Sequence, residues 1–181
     1  IKTLSHFLNK QQQIIILVPE VSLIPQIYKK LNNHYSNNVG IWHSKMKQSE
    51  KSYVLDKIKN KYFNIIIGTR SALFVPFTRL GLIIVDEEQE GGYKQDQAHP
   101  YYHAKDVAIM RSQFNNSAIL LVSSIPSIET YYCVKEKKYK NLSLNEKYNK
   151  LSTTNIKLVD MSHEKGFLSR TLINEIAKTL D

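Results

Sequence analysis

The sequence predicts an α/β protein whose mainly parallel sheet is covered by helices on both faces. Short runs of isoleucine, leucine and valine alternate along the chain with longer amphipathic stretches. The apolar runs are continuous rather than alternating, which is typical of parallel strands buried on both faces. We predict such strands at 14–18, 63–67, 82–85 and 118–122, and a weaker strand at 39–42.

Amphipathic stretches between these runs indicate helices, which would act as the crossovers that parallel strands require. The predicted helices cover residues 22–34, 48–60, 103–114 and 126–137. Ser22 and Ser49 suit helix N-caps, because a hydroxyl can accept a hydrogen bond from a free backbone N–H. Pro126 suits the first turn of a helix, where no backbone donor is needed.

The composition changes near residue 145, which we interpret as a boundary between two parts of the chain. Residues 1–145 form the predicted α/β lobe, and residues 146–181 a connector with the first helix of a following unit. The connector is polar and rich in lysine, with one possible strand at 156–159. Ser169 is the predicted cap of the final helix. The chain starts without methionine and stops directly after that helix, so we expect both ends to be cut.

Composition excludes several classes of protein. Hydrophobic residues make up 42% of the 181 residues, as in folded globular proteins. The longest apolar runs are about five residues, too short to span a bilayer, and no secretory signal opens the sequence. Cys133 is the single cysteine. It excludes an intrachain disulfide and a cysteine-rich zinc site, so we expect a reducing, cytoplasmic location.

The net charge of +9, with a pI of about 9.5, fits a polyanionic partner such as DNA. Lysine greatly outnumbers arginine, however. The basic excess is therefore equally consistent with lysines spread over solvated faces.

The strongest chemical signal is the segment 82–89, LIIVDEEQ. Its carboxylates directly follow a buried strand, and parallel sheets bind their ligands at the carboxyl ends of strands. Asp86 could hold the water shell of Mg²⁺, and Glu87 could orient a water molecule against a γ-phosphate. The alternative is a solvated acidic turn.

Two further turns after predicted strands are candidate contacts for a DNA strand. The first offers backbone N–H groups, two hydroxyls and a guanidinium, from Gly68, Thr69, Arg70 and Ser71, a set that suits phosphates. The second, Pro19 and Glu20, would line the same edge of the sheet. The alternatives are a helix cap with one surface arginine, and a proline that only ends a strand.

The segment 91–103 interleaves aromatic and cationic residues, which is typical of single-strand binding without sequence specificity. Its candidate DNA-binding residues, with one lysine that follows, are Tyr93, Lys94, Tyr101, Tyr102, His103 and Lys105. The alternative is that the tyrosine rings pack on the lobe.

Five segments taken in order resemble the primosomal protein N′ family of superfamily 2 DNA helicases. They are 17–26 (LVPEVSLIPQ), 42–44 (WHS), 68–77 (GTRSALFVPF), 86–95 (DEEQEGGYKQ) and 102–106 (YHAKD). The resemblance covers nearly the whole chain. It implies a RecA-like first motor lobe of an ATP-dependent helicase that translocates 3′ to 5′ and reloads the replication machinery at stalled forks.

The resemblance also implies roles for single residues. Asp86 would hold Mg²⁺ and Glu87 would position the attacking water. The nucleotide and coupling residues would be Glu88, Gln89, Ser123 and Ser124. The chain departs from the family at Gln89, which replaces a histidine, and at Val122 and Ile125, which replace a glycine and a threonine. Isoleucine cannot form a hydrogen bond through its side chain, so we expect weaker coupling.

The resemblance implies ATP and Mg²⁺ as cofactors, and Zn²⁺ in the parent family through ligands that this sequence lacks. The implied partners are forked or single-stranded DNA, primosome proteins and single-strand-binding proteins, with no membrane. No G-x-x-x-x-G-K-[ST] phosphate loop occurs in the 181 residues. We therefore expect this chain alone neither to bind ATP tightly nor to unwind DNA.

Two other interpretations remain open. One is a non-catalytic, single-stranded-DNA-binding fragment of a truncated helicase gene. The other is an unrelated α/β protein whose acidic strand end binds a metal or a phosphate ligand.

Overall fold

The computed structural model describes residues 1–97, 99–144, 157–162 and 166–180. The chain divides into two compact units, Ile1–Lys140 and Asn141–Asp181. The larger unit contains the sheet and the acidic segment, and the smaller one contains the last helix.

The larger unit is built on a five-stranded parallel sheet, which confirms the predicted α/β class. Its strands are β1 (Gln13–Leu17), β2 (Val39–Trp42), β3 (Ile65–Gly68), β4 (Leu80–Val85) and, after a separate hairpin, β7 (Ala118–Leu121). They lie in the order β2-β3-β1-β4-β7, and all four neighbouring pairs are parallel. β1 is the central strand and all five of its residues are buried. β7 is an edge strand with partly exposed residues, so the prediction of burial on both faces is wrong there.

Helices cover both faces of the sheet. α1 (Lys2–Asn9) and α2 (Ile24–Asn32) pack on one face, and α3 (Gln48–Lys59) and α4 (Ala104–Phe114) pack on the other. α5 (Ile128–Lys135) follows β7, and the smaller unit contains α6 (Arg170–Leu180). Short 3-10 turns precede α2 at Val21–Leu23 and follow β3 at Arg70–Phe74. The four predicted helices are present, each shorter than predicted.

The structure corrects three predicted helix starts. Ser22 lies in the 3-10 turn before α2, and its hydroxyl donates to Glu20. α3 begins one residue before Ser49, and Glu50 accepts a hydrogen bond from the Lys47 backbone N–H at 2.7 Å instead. Pro126 precedes the cap of α5. Ser127 is that cap, with its hydroxyl 3.3 Å from the Thr130 backbone N.

The apolar side chains of each strand alternate between two cores, one on each face of the sheet. Ile15 and Leu17 belong to a core with α3 and α4, whereas Ile14 and Ile16 belong to a core with α1 and α2. This arrangement explains the continuous apolar runs, since both faces of the inner strands are covered.

A second, two-stranded sheet follows the acidic segment. β5 (Lys94–Gln95) pairs antiparallel with β6 (Tyr102–His103), after a 3-10 turn at Gly91–Tyr93. We call residues 94–97 and 99–103 the hairpin. It lies between β4 and α4 in the sequence.

In the smaller unit, Ser169 caps α6 as predicted, with its hydroxyl 3.1 Å from the Leu172 backbone N. The predicted strand at 156–159 is wrong for 157–159, which form no strand. Residue 156 lies outside the described residues.

Candidate functional site

The residues that follow the parallel strands meet at one side of the sheet, which we call the carboxyl edge. The acidic turn, Asp86–Gln89, follows β4 near the centre of this edge. Its backbone is fixed to strands on both sides, because Asp86 N donates to Leu17 O at 3.0 Å and Glu88 N donates to Val122 O at 3.0 Å. The turn thus takes its position directly from the sheet.

Asp86 and Glu87 are half-buried and adjacent. Burial raises the pKa of Asp86 above its ordinary value, and the neighbouring Glu87 charge adds to the increase, against a smaller opposing effect of a backbone hydrogen bond. Asp86 and Glu87 therefore form a pair of adjacent, partly exposed carboxylates. Such a pair suits a divalent cation that keeps its water shell. Among the described residues, no group of three or more potential metal ligands comes together.

A chain of side-chain hydrogen bonds runs from the acidic turn to the segment after β7. Gln89 Nε2 donates to Glu87 Oε2 at 2.9 Å, and Ser123 Oγ donates to Gln89 Oε1 at 2.6 Å. Ser123 Oγ also accepts from the Ile125 backbone N at 2.9 Å. Ile125 thus joins the hydrogen-bond chain through its backbone N–H. This bond does not need the hydroxyl of the threonine that the family has at this position. Ser124 lies in the same segment and is exposed.

Glu88 differs from the other two carboxylates because only 1% of its surface is exposed. Its Oε2 lies 2.9 Å from Lys105 Nζ. Burial alone would raise the pKa of Glu88, but the hydrogen bonds and charge of Lys105, with bonds from Ser127 and Thr130, outweigh it and lower the pKa. The prediction that Lys105 contacts DNA is therefore wrong in this structure, since its ammonium group is used inside the protein.

Tyr93 is also buried, with no exposed surface. Its hydroxyl oxygen lies 3.1 Å from Leu17 O and 2.5 Å from Asp86 O, so its one proton is shared between these two carbonyl groups. Burial raises the pKa of Tyr93, and the nearby carboxylates raise it further. A ring enclosed in the core cannot stack on a base, so the predicted DNA contact is wrong for Tyr93. The alternative, packing on the lobe, holds for this tyrosine.

The hairpin exposes other members of the predicted set. Lys94 is exposed, with Nζ 3.7 Å from Asp96, and Tyr101 is 59% exposed. Tyr102 is half-buried, and its ring makes an edge-to-face contact with Phe74 at 5.7 Å. His103 caps α4, since its Nδ1 accepts from the Lys105 backbone N at 3.3 Å. Lys94 and Tyr101 are thus the members open to a ligand.

The turn after β3 lies at the same carboxyl edge, as the parallel topology requires. Gly68 is needed there, because a Cβ would lie 2.0 Å from the Trp42 carbonyl oxygen. Thr69 starts the following 3-10 turn, and the Arg70 guanidinium donates to Lys94 O of the hairpin. Ser71 Oγ is buried and has no hydrogen-bond partner in the described part of the chain. Thr69 and Arg70 are both half-buried.

The turn after β1 completes this edge. Pro19 is half-buried and Glu20 is exposed. A Cβ added to Gly92 would lie 2.7 Å from the Pro19 carbonyl oxygen, so the two backbones are in close contact. The predicted segments after β1, β3 and β4 are therefore neighbours, although they are far apart in sequence.

Sequence reasoning missed Arg111, which braces this edge from α4. Its guanidinium donates to Leu73 O and, at 2.7 Å, to Val75 O, which extends the turn after β3. Burial lowers the pKa of Arg111. No sequence signal marks this role of Arg111.

The internal role of Lys105, by contrast, has a signal in the sequence. A lysine in the first turn of a helix is unfavourable for the helix dipole, which suggests that it has an acidic partner.

The fold and this edge define a class of protein. The family model "DEAD/DEAH box helicase" matches residues 1–134. The chain therefore belongs to the DEAD/DEAH box helicase family, and the sheet is the RecA-like core of that family. No helix in the described residues is long and apolar enough to cross a membrane.

More specific relatives share most of this sequence. The chain is 37% identical over 182 residues to the replication restart protein PriA of Rickettsia prowazekii. The matched region covers 98% of this chain and 28% of that protein. PriA of Chlamydia muridarum is 40% identical, over 93% of this chain and 23% of that protein. PriA of Bacillus subtilis is 35% identical, over 99% and 23% respectively. The chain thus spans about a quarter of each relative's length.

Proposed function

We propose that this chain serves as the first motor lobe of an ATP-dependent DNA helicase acting in replication restart at stalled forks. The observation that carries this proposal is the hydrogen-bonded chain Glu87–Gln89–Ser123 at the edge that also holds the Thr69–Arg70 turn. A motor must couple ATP hydrolysis to DNA movement, so side chains that are hydrogen-bonded to the acidic turn at this edge are the candidate coupling groups. The relatives named for replication restart support the biological setting.

Each group at the carboxyl edge receives a role in this proposal. Mg²⁺ would supply charge neutralisation on the phosphates, held through water by Asp86. Glu87 orients the attacking water, and Gln89 and Ser123 relay its position to the segment after β7. Thr69 and Arg70 hold the DNA backbone, while Lys94 and Tyr101 contact exposed phosphates and bases. Pro19 and Glu20 line the same track. The helicase would translocate along the bound DNA strand in the 3′ to 5′ direction.

The test is DNA-stimulated ATP hydrolysis and unwinding of forked DNA by the full-length helicase that carries this chain. We expect hydrolysis that rises on addition of single-stranded or forked DNA. Primosome and single-strand-binding proteins are proposed partners, detectable as further stimulation of unwinding. Hydrolysis that is insensitive to DNA would contradict the proposal.

A second candidate is a DNA-binding fragment without catalysis, favoured by the exposed Lys94 and Tyr101 and by the lack of a phosphate loop in these 181 residues. For the isolated chain we expect salt-dependent binding to single strands without ATP hydrolysis. Hydrolysis by the isolated chain, abolished by Glu87→Gln, would exclude this candidate.

A further inference from the structure

A buried ion pair joins the acidic turn to two helices. Besides Lys105 of α4, Glu88 binds three groups at the start of α5. Ser127 N lies 2.8 Å from Glu88 Oε1, and the hydroxyls of Ser127 and Thr130 lie 3.1 and 3.0 Å from Oε2. One carboxylate therefore connects the turn after β4, the first turn of α4 and the first turn of α5.

The lysine is used entirely within this cluster. Its Nζ lies 2.9 Å from Glu88 Oε2, 2.9 Å from Ser127 Oγ and 3.4 Å from Thr130 Oγ1. Its side chain is 11% exposed, against 65% for Lys94. A buried carboxylate is costly unless it is paired and hydrogen-bonded, so loss of Lys105 would leave Glu88 with an uncompensated charge.

The residue next to this cluster has an unusual backbone. Glu87 has φ of 48°, in the left-handed region that non-glycine residues seldom occupy. Such a conformation persists only where the surroundings hold it. Asp86 N is bound to Leu17 O on one side, and Glu88 is bound through its backbone and its side chain on the other. Glu87 is thus clamped between two fixed neighbours.

We infer that Lys105 is a positioning residue, which fixes the acidic turn through its buried ion pair with Glu88 and so directs the Glu87 carboxylate toward Gln89. This inference rests on the proposed function, in which Glu87 positions the attacking water. In this role Lys105 would contact neither nucleotide nor DNA, because its ammonium group is bonded within the cluster. It acts on the reaction only by holding the backbone that carries Glu87.

The first test is a spectroscopic one on the 181-residue chain. Lys105→Met is expected to change the Cα and Cβ chemical shifts of Glu87 and its HN–Hα coupling, because these report on φ. Lys105→Arg keeps the charge and should retain most of the wild-type Glu87 signal. Lys59→Met, an exposed lysine at the end of α3, is the matched control and should leave Glu87 unchanged.

The double variant Glu88→Gln/Lys105→Met keeps the test decisive if Lys105→Met alone does not fold. It removes both charges, so no uncompensated carboxylate remains. Its Glu87 signals are expected to lie between those of wild type and Lys105→Met, or simply to differ from wild type where the single variant is unfolded. Wild-type Glu87 signals in a folded Lys105→Met protein, or in the double variant, would overturn the inference.

The second test separates positioning from DNA contact in the full-length helicase. Lys105→Met should lower kcat for DNA-stimulated ATP hydrolysis about 10- to 100-fold, with KM for ATP and DNA affinity changed by less than about threefold. The double variant should recover part of the loss. Weaker DNA binding with normal kcat at saturating DNA would overturn the inference. Absence of DNA-stimulated hydrolysis in the wild type would refute the proposed function, while the Glu87 signals would still decide the role of Lys105.

Discussion

The two ends of the sheet use polar side chains in different ways. At the opposite, amino edge, amides satisfy the backbone where strands begin. Gln13 is 4% exposed and its Oε1 accepts from Thr78 N and Arg79 N at 3.0 and 2.9 Å. Asn38 Oδ1 accepts from Asn64 N at 2.8 Å. These neutral groups close loops onto the sheet.

At the carboxyl edge, by contrast, carboxylates and cations dominate, and part of their binding capacity faces outward. Glu88 and Lys105 form a buried ion pair, whereas Asp86 and Glu87 are half-buried and Lys94 is exposed. We infer that the internal ion pair at this edge holds in place the neighbouring charged side chains that remain accessible to a ligand. We therefore expect substitutions at the amino edge to change stability, and substitutions of the accessible groups at the carboxyl edge to change activity.

The largest effect is expected for Glu87→Gln in the full-length helicase. If Glu87 orients the attacking water, as we propose, its loss should lower kcat by about 100-fold or more. Because Glu87 is half-buried and gives up no core packing, the free energy of unfolding of the chain should change by less than about 1 kcal/mol. Phosphate release with saturating DNA and urea denaturation measure the two quantities. A large loss of stability with retained kcat would instead show that Glu87 has a structural role and not a catalytic one.

Gln13→Leu tests the amino edge. The change leaves two backbone N–H groups without an acceptor, and each buried unsatisfied group costs about 1–3 kcal/mol. We expect a loss of about 2–4 kcal/mol in the free energy of unfolding, measured by urea denaturation. Gln26→Leu, on the exposed face of α2, is the control and should be nearly neutral. Impaired DNA binding by folded Gln13→Leu protein would break the separation between the two edges.

A pair of tyrosines sharpens the comparison within the carboxyl edge. Tyr101→Ala should weaken single-strand binding by about 1–3 kcal/mol, the value of one stacked base. Tyr93→Phe should cost about 1 kcal/mol of stability through loss of the hydroxyl that two carbonyl groups share, with unchanged DNA affinity. Fluorescence anisotropy with a labelled oligonucleotide distinguishes them, with Tyr62→Ala as an exposed control. Equal losses of affinity in the Tyr93 and Tyr101 variants would contradict the burial argument.

The smallest effect is expected for Arg70→Gln. Removal of the phosphate contact that we propose for Arg70 should lower DNA affinity severalfold and reduce the slope of log affinity against log salt by about 1. The same substitution at Arg79, on the amino edge, should leave the slope unchanged. Titrations at several salt concentrations measure both. An equal change for Arg79 would mean that the net charge, rather than this edge, attracts DNA.

Local pattern was enough to predict the five strands of the parallel sheet, since burial on both faces dictates continuous apolar runs in its inner strands. It did not predict the two short strands of the hairpin, and it predicted a strand at 156–159 that residues 157–159 do not form. It was less reliable at helix starts. Ser22 and Ser49 have good capping chemistry, yet the chain enters α2 through a 3-10 turn, and α3 begins one residue before Ser49. Cap position depends on where the preceding loop leaves the sheet, and that is set by long-range packing.

Residue type and spacing also predicted that the segments after β1, β3 and β4 share one edge, because parallel strands end on the same side. They did not predict which side chains point inward. Tyr93 and Tyr101 are both aromatic residues near lysines, and one is buried while the other is exposed.

The sequence by itself therefore determined the sheet, the edge at which chemistry is possible and the helicase family. Only the tertiary structure decided the role of each charged group. Glu88 and Lys105 lie 17 residues apart, and nothing local requires them to meet. They pair because β4 and α4 bring them together in a dry environment, where an unpaired charge is too costly to remain.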